Sequence, residues 1–202
     1  MNKPLPTLVL ASSSPFRQAL LKKIGLPFTA ISPEINESRK AGESAQELVQ
    51  RLAHEKAAAV AEQFPNALII GSDQVAVDAS GNILGKPGGF ENAKQQLQAS
   101  SGNIVKFATG LCLYNSSTKQ AQVAYEPFHV HFRQLSDATI ERYLHEEEPY
   151  YSAGSFKSEG LGIVLFNRLE GRDPNALVGL PLILLTDFLA NEGVYLPLRS
   201  KP

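Results

Sequence analysis

Apolar and polar positions along this chain follow two periods, one typical of strands and one typical of helices. The most informative stretch is ALIIGSDQ at residues 67–74, where a short apolar run is followed at once by polar residues. Such a run predicts a buried strand of a central sheet. A carboxylate at the end of such a strand, here Asp73, lies at the usual ligand crevice of an α/β sheet. On this stretch alone, a turn aspartate between two strands is the more common arrangement.

A serine loop precedes the first predicted helix. A strand over Thr7–Ala11 leads into Ser12 and then into Ser14 and Pro15, which predict a helix N-cap and first helical residue. Backbone N–H groups, hydroxyls and Arg17 in the first turn would then surround one point, which suits an anion. A capped helix with an exposed arginine explains the segment equally well.

Two lysines and two glutamates are weaker candidates for a functional role. Lys56 falls on the apolar stripe of a helix predicted from residue 44 to about residue 63, so its ammonium either reaches the helix edge or points into a cleft. Lys86 is followed by proline and lacks the spaced glycine of a Walker A loop, so alone it indicates a solvated turn lysine. Glu34 and Glu37 fall in a loop, where each alone indicates a solvated carboxylate.

The remaining pattern mixes helices and strands and predicts an α/β fold with a mixed central sheet flanked by helices. Further helices are predicted at 91–99, 136–147 and 180–193, and strands at 27–32, 103–115, 120–135 and 161–166, followed by a charged turn at 168–174. His129 and His131 share one strand face, which indicates either a metal-binding pair or an exposed polar face. The exposed face is favoured because no third ligand lies nearby.

Size and composition narrow the classes of function. The 202 residues suit one α/β domain or two closely packed lobes, and we expect residues 1–202 to form a single domain. A net charge of −1 provides no bulk attraction to nucleic acid or to an anionic membrane. The one cysteine, Cys112, predicts a buried core thiol and a reducing compartment. With no apolar run long enough to cross a membrane, we expect a cytoplasmic protein without nucleic acid or membrane partners.

The candidate residues together suit the cleavage of a polyphosphate by water. Carboxylate and phosphate oxygens are the ligands of a Mg²⁺-type ion. Lysine and arginine neutralise the phosphates and the charge that develops in the transition state, and a carboxylate can accept a proton from the attacking water. The candidates are Ser12, Arg17, Lys56 and Lys86 as donors and cations, with Glu34 and Asp73 as carboxylates.

Several strings of residues, in this order along nearly the whole chain, resemble the Maf family of nucleoside-triphosphate pyrophosphatases. They are ASSSPFR at 11–17, Glu34, Lys56-Ala57, IGSDQ at 70–74, Gly85-Lys86-Pro87 and VGLP at 178–181. The resemblance implies a two-lobed fold with a nucleotide cleft, a divalent metal cofactor such as Mg or Mn, and a homodimer. It implies hydrolysis of a nucleoside triphosphate to the monophosphate and pyrophosphate.

The resemblance also implies roles for the candidate residues. Ser12, Arg17, Lys56 and Lys86 would bind the phosphates of the substrate. Asp73 would accept the proton of the attacking water. Glu34 and Asp73 would bind the metal.

Three positions depart from the family's most common pattern, namely Phe16, Gln74 and Glu159 where many members carry arginine, threonine and glutamine. These changes resemble the subgroup that acts on 7-methyl-GTP rather than on dTTP and UTP. N7-methylguanine carries a positive charge, so stacking on Phe16 would add a cation–π energy of about 0.5–2 kcal/mol. Glu159 would accept hydrogen bonds from the guanine N1–H and amine.

Three other interpretations remain open at this point. The chain would fit a dTTP or UTP pyrophosphatase of the same family. It would also fit a nucleotide-binding regulator of cell division with little catalysis, or a phosphatase that releases orthophosphate. Product analysis with a panel of nucleotides separates these activities.

Overall fold

Seven strands form one mixed sheet within residues 5–198, the part of the chain that the structure, a computed structural model, describes. Across the sheet the order is β2, β1, β3, β5, β6, β7, and β4 pairs with the far end of β3. β1 runs parallel to β2 and β3, whereas every other pairing is antiparallel. The strands are β1 (Thr7–Ala11), β2 (Thr29–Ile31), β3 (Ala67–Val77), β4 (Ile83–Leu84), β5 (Ile104–Asn115), β6 (Gln120–Phe132) and β7 (Phe166–Gly171).

Helices flank this sheet, and two of them begin at side-chain caps. The Ser14 hydroxyl, at the predicted N-cap of α1, accepts a hydrogen bond from the Arg17 N–H, and Ser44 and Glu47 form a capping box at the start of α2. Short 3₁₀ helices lie at Ala61–Gln63, Ala153–Ser155 and Leu161–Leu165. The α-helices are α1 (Pro15–Lys22), α2 (Ala45–Ala59), α3 (Phe90–Ser100), α4 (Asp137–Glu147), α5 (Pro174–Val178) and α6 (Leu182–Asn191).

Two glycines let α2 lie directly on the sheet. A Cβ atom at Gly71 on β3 would overlap the carbonyl oxygen of Ala53, and one at Gly110 on β5 would overlap that of Val49. With hydrogen atoms at these positions, the backbone of α2 approaches the strands more closely than any larger side chain would allow. This close approach sets how far the side chains of α2 reach toward β3.

Apolar side chains cover both faces of the sheet. On β3, Ile69 packs with Val9 and Ala53 on the α2 face, whereas Ile70 packs with Leu111 and other residues on the α6 face. Neighbouring residues of a strand point to opposite faces, which accounts for this division. A separate aromatic-rich cluster lies under α3 and α4 and includes Phe107, Phe132, Ile140 and Phe156. The candidate site lies between these cores.

The structure corrects the predicted position of Asp73 within its strand. β3 continues through Asp73 to Val77, so this carboxylate lies in the interior of a strand rather than at its end or in a turn. β1, however, pairs only with the first part of β3, at Ala67 to Ile70. Because β1 ends early, Asp73 still lies beside the open edge that follows the carboxyl end of a parallel strand.

The segment after α4 is also corrected. A 3₁₀ helix occupies Leu161–Leu165, where a strand was predicted, and β7 occupies Phe166–Gly171, where a charged turn was predicted. Leu161, Ile163 and Val164 are exposed, so this apolar run does not form a buried strand. The helix α5 was not predicted because its five residues are too few to show a helical period.

The structure also bears on the cysteine, on the histidine pair and on membrane-spanning helices. Cys112 is buried, and burial raises the pKa of its thiol to about 12. His131 pairs with Glu170 on neighbouring strands, and no group of three or more histidine, cysteine or acidic side chains suited to a metal occurs within residues 5–198. Over the same residues, the structure contains no helix with the length and apolar character needed to cross a bilayer.

Candidate active site

A cleft of about 530 Å³ opens above the middle of β3. Its lining includes the serine loop, part of the segment from Ser32 to Glu37, Lys86, and part of the segment from Tyr151 to Glu159. Asp73, Gln74 and Gly179 line it as well. Of the residues predicted to form the site, all except Glu34 line this cleft.

Lys56 joins two carboxylates in one charged cluster of the cleft. The Lys56 Nζ donates to Asp73 Oδ1 at 2.6 Å and lies 2.9 Å from Glu37 Oε1. Lys56 and Asp73 are both buried, whereas Glu37 is exposed. Lys56 therefore points into the cleft instead of reaching the helix edge. An ammonium has three N–H donors, so one remains for an anion in the cleft.

The second oxygen of Asp73 faces the cleft. Among residues 5–198, Oδ2 of Asp73 has no hydrogen-bond partner, and every buried side-chain oxygen or nitrogen in that range has one. Oδ2 is therefore accessible. A carboxylate with one oxygen fixed by a lysine and the other open can accept a proton from a bound water.

Glu37, rather than Glu34, joins this cluster. Glu34 is exposed and does not line the cleft, so the metal-ligand role predicted for it finds no support in the geometry. The Asn36 side chain accepts the Ser38 N–H at 2.9 Å, so the loop turns at this point, and Glu37 Oε1 lies 2.9 Å from the Lys56 ammonium. The sequence offered two glutamates in one loop and no signal to choose between them.

Arg17 is fixed by the turn that follows α5. Its Nε donates to the carbonyl oxygen of Gly179 at 2.8 Å, and the same oxygen accepts a hydrogen bond from Ser72 Oγ at 2.9 Å. Its Nη1 lies 3.5 Å from Ser12 Oγ, which also accepts the N–H of Ser14. Gly179 has a φ of 109°, a conformation that favours glycine. The motif at 178–181 therefore holds the arginine in the first turn of α1.

Arg17 is partly enclosed, and this environment affects its pKa. Burial lowers the pKa of the guanidinium from its ordinary value, while the charges of Asp73 and Glu37 oppose that shift. Arginine nevertheless stays protonated in proteins at neutral pH. Arg17 thus provides a permanent positive charge beside the two carboxylates.

Gln74 lies next to Asp73 on β3 but faces the opposite side of the strand. Its Nε2 donates to Thr109 Oγ1 at 2.9 Å and to the carbonyl oxygens of Ala176 at 2.7 Å and Leu177 at 3.1 Å. These acceptors determine which way the amide is oriented. Within residues 5–198 Oε1 has no partner, so the side chain presents an acceptor oxygen to the cleft.

The outer part of the cleft carries an aromatic ring and two opposite charges. Phe16 is 41% exposed, and Lys86 and Glu159 are exposed as well. The described part of the chain offers Glu159 no cationic partner, and the one hydrogen bond of its side chain there comes from the Ser158 hydroxyl at 3.3 Å. Such unpaired groups at a cleft opening are free to contact a ligand.

The donor set allows one mode of metal binding. Mg²⁺ is commonly held by one or two carboxylates together with substrate phosphates, and not by a cage of protein ligands. Asp73 and Glu37, which share Lys56, provide two carboxylates of this kind. The residues therefore fit a divalent ion that binds together with a polyphosphate.

Comparison with known proteins points to one family. The family model described as Maf-like protein matches residues 7–192. A protein of Alcanivorax borkumensis named 7-methyl-GTP pyrophosphatase is 62% identical over 198 residues, covering 98% of this chain and 100% of the relative. A protein of the same name from Pseudomonas savastanoi pv. phaseolicola is 58% identical, covering 96% of this chain and 100% of the relative.

A solved structure matches the fold. The structure of the Staphylococcus aureus Ham1 protein aligns with a TM-score of 0.52 at 16% identity, covering 92% of this chain and 99% of that one. At this identity the likeness concerns the arrangement of helices around the mixed sheet.

Proposed function

Because this chain belongs to the Maf-like protein family, we propose that it hydrolyses a nucleoside triphosphate, 7-methyl-GTP by preference, to the monophosphate and pyrophosphate. The observation that carries the proposal is the pairing of Lys56 with Asp73 at 2.6 Å in a cleft that Arg17 and Ser12 also line. The names of the relatives at 58% and 62% identity support the choice of substrate.

Asp73 is the proton acceptor in this proposal. Its accessible Oδ2 takes a proton from a water whose oxygen forms a new bond to phosphorus. The phosphoanhydride bond between the α and β phosphates breaks, and its electron pair leaves with pyrophosphate. Arg17, the free N–H of Lys56 and the exposed Lys86 neutralise the charge that develops on the phosphate oxygens.

The serine loop and the divalent ion complete the phosphate site. Ser12 and the N–H groups at the start of α1 bind phosphate oxygens, as helix N-termini do. Asp73 and Glu37 are the carboxylates that would hold a divalent ion together with the substrate, and such an ion would supply electrostatic stabilisation of the phosphates. Glu37 replaces Glu34 in this role because it is the glutamate that lines the cleft.

The base is recognised at the outer part of the cleft. Phe16 stacks on the cationic N7-methylguanine ring, and Glu159 accepts hydrogen bonds from the guanine N1–H and amine. Gln74 supplies a further acceptor through Oε1, because both N–H donors of its amide are already directed at oxygens of Thr109, Ala176 and Leu177. Thymine and uracil lack both the fixed charge and the exocyclic amine.

The test is a substrate panel with pyrophosphate detection. We expect kcat/KM to be highest for 7-methyl-GTP among 7-methyl-GTP, GTP, dTTP and UTP, and activity to fall when the divalent ion is chelated. Asp73→Asn should lower kcat by about 10²–10⁴-fold, the usual contribution of a general base. Asp187→Asn is the matched control, because that aspartate is exposed on α6 and does not line the cleft.

Each part of the proposal has an outcome that would refute it. Release of orthophosphate would indicate a phosphatase of another type. A preference for dTTP or UTP would exclude the proposed base, and near-normal turnover by Asp73→Asn would remove Asp73 from the mechanism. Tight nucleotide binding without turnover would indicate a regulator.

Two accompanying proposals concern the setting of the enzyme. The cytoplasm remains the compartment that we infer from the single cysteine. The homodimer implied by the resemblance also remains a proposal, and light scattering of the purified chain distinguishes a dimer from a monomer.

A further inference from the structure

The Glu159 loop, residues 156–162, is anchored at its first residue by aromatic packing. Phe156 is buried and makes edge-to-face contacts with Phe107, Phe132 and Phe166 at centroid distances of 5.4, 5.6 and 4.8 Å. Backbone hydrogen bonds from Gly160 and Gly162 to the carbonyl oxygen of Lys157 close the loop. The backbone around Glu159 is therefore tightly turned.

One carboxylate outside the cleft contacts this loop on both sides of Glu159. Glu147, the last residue of α4, accepts the backbone N–H of Leu161 at Oε2, at 2.8 Å. Its Oε1 lies 3.2 Å from the ammonium of Lys157, which also donates to the Glu147 carbonyl oxygen at 2.8 Å. The residues two positions before and two positions after Glu159 are thus held by the same side chain.

Lys157 faces away from the substrate. Ser158 and Glu159 line the cleft, but Lys157 does not. Its side chain turns back to α4, and its backbone N–H donates to the Tyr143 hydroxyl at 3.1 Å. Lys157 therefore contributes to the structure of the loop and not to a contact with the base.

The hydrogen bonds to Glu147 also affect its charge. The Leu161 N–H lowers the pKa of Glu147, and Lys157 lowers it further against the effect of burial. Both carboxylate oxygens of Glu147 are thus paired with groups of the protein itself. Glu159, by contrast, has no cation partner within residues 5–198 and is free for a ligand. Glu147 therefore holds the loop, whereas Glu159 is available to a ligand.

We propose that Glu147 and Lys157 are positioning residues for base selection, which hold Glu159 where it meets the guanine edge. The inference rests on the proposed function, since it concerns recognition of the base in that reaction. Without this carboxylate, the loop would let Glu159 sample many positions. Binding of the substrate would then have to order Glu159, and the lost conformational entropy would weaken the affinity.

The test is a double-mutant cycle on selectivity. Glu147→Gln keeps the size of the side chain but removes the charge that pairs with Lys157. We expect it to lower the ratio of kcat/KM for 7-methyl-GTP over GTP by about tenfold, within the range of coupling between contacting residues. The change should be larger in KM than in kcat, because Glu159 contacts the base in the bound substrate and in the transition state alike.

Matched variants separate positioning from general damage. Glu141→Gln is the control, because Glu141 lies on the same helix and pairs with Lys94 at 2.6 Å, away from the loop. Lys157→Met removes the same ion pair from the other side and leaves the Leu161 hydrogen bond in place. It should lower selectivity in the same direction, which keeps the proposal testable if Glu147→Gln fails to fold.

The Glu159→Gln background decides the interpretation. If Glu147 acts through Glu159, Glu147→Gln should have no further effect on selectivity in that background, and an undiminished effect would overturn the inference. Unchanged selectivity in both Glu147→Gln and Lys157→Met would also overturn it while leaving the proposed function intact. If the wild type shows no preference for 7-methyl-GTP, the proposed substrate is wrong. The positioning role is then tested by measuring KM for the best nucleotide in the same set of single and double variants.

Discussion

Replacement of Gly71 by alanine tests whether the approach of α2 to the sheet sets the geometry of the active site. The added Cβ would lie 3.0 Å from the Ala57 nitrogen and 3.1 Å from the Ala53 carbonyl carbon, and closer still to the Ala53 oxygen. These are backbone atoms, which cannot rotate away. Relief therefore requires α2 itself to move off the strand.

The size of the effect follows from that geometry. Overpacking of this kind typically costs about 1–3 kcal/mol of unfolding free energy. Lys56 lies on α2 between the two contacted residues, so a shift of the helix also moves its ammonium away from Asp73, with which it makes a 2.6 Å hydrogen bond. A misplacement of about 1 Å in a catalytic group can lower activity by about 100-fold.

Two assays and one control check this reasoning. Urea unfolding measures the loss of stability, and pyrophosphate release measures kcat/KM for the preferred nucleotide. Gly89→Ala is the control, because its Cβ would meet nothing within 4 Å and its φ of −178° is an extended conformation open to any residue. Wild-type stability in Gly71→Ala would refute the packing argument. Lost stability with unchanged kcat/KM would refute the link to Lys56.

Two further predictions concern groups outside the cleft. Hydrogen bonding to Arg51 lowers the pKa of Glu43 from 4.5 to about 2, so this pair stabilises the native state above about pH 4.5 and the contribution is lost as the pH falls toward 2. Glu43→Gln should therefore flatten the dependence of unfolding free energy on pH in that window, and an unchanged slope would contradict the assignment. Because burial raises the pKa of the Cys112 thiol to about 12, an aromatic disulfide reagent at mildly alkaline pH should label it only after denaturant is added, whereas rapid labelling of the native protein would show that the thiol is accessible.

Local elements of this fold were predictable because their signals are local. Ser14 and Pro15 indicate the start of α1, and the capping box of Ser44 and Glu47 indicates the start of α2. Capping depends on hydrogen bonds within one turn, so nearby residues suffice to predict it. The 3₁₀ helix at Leu161–Leu165 was mistaken for a strand because a short apolar run has no period of its own.

The candidate site was predictable as a set of residues but not as a geometry. The order of the motifs indicated Lys56 and Asp73 as partners in phosphate chemistry, and the structure places their charged atoms 2.6 Å apart. Nothing in the loop sequence distinguished Glu37 from Glu34, since both are glutamates and three positions separate them. The choice depends on how the loop folds against α2, which brings Glu37 and not Glu34 to the Lys56 ammonium.

The sequence by itself determined which chemical groups are available, where helices begin, and which family the motifs resemble. Only the tertiary structure decided that β3 runs on past Asp73, that Lys56 turns inward, and that Glu147 holds both sides of the Glu159 loop. These features depend on contacts between segments that are distant in the chain. Local propensity does not specify such contacts, because packing and loop closure set them only when the whole sheet and its helices assemble.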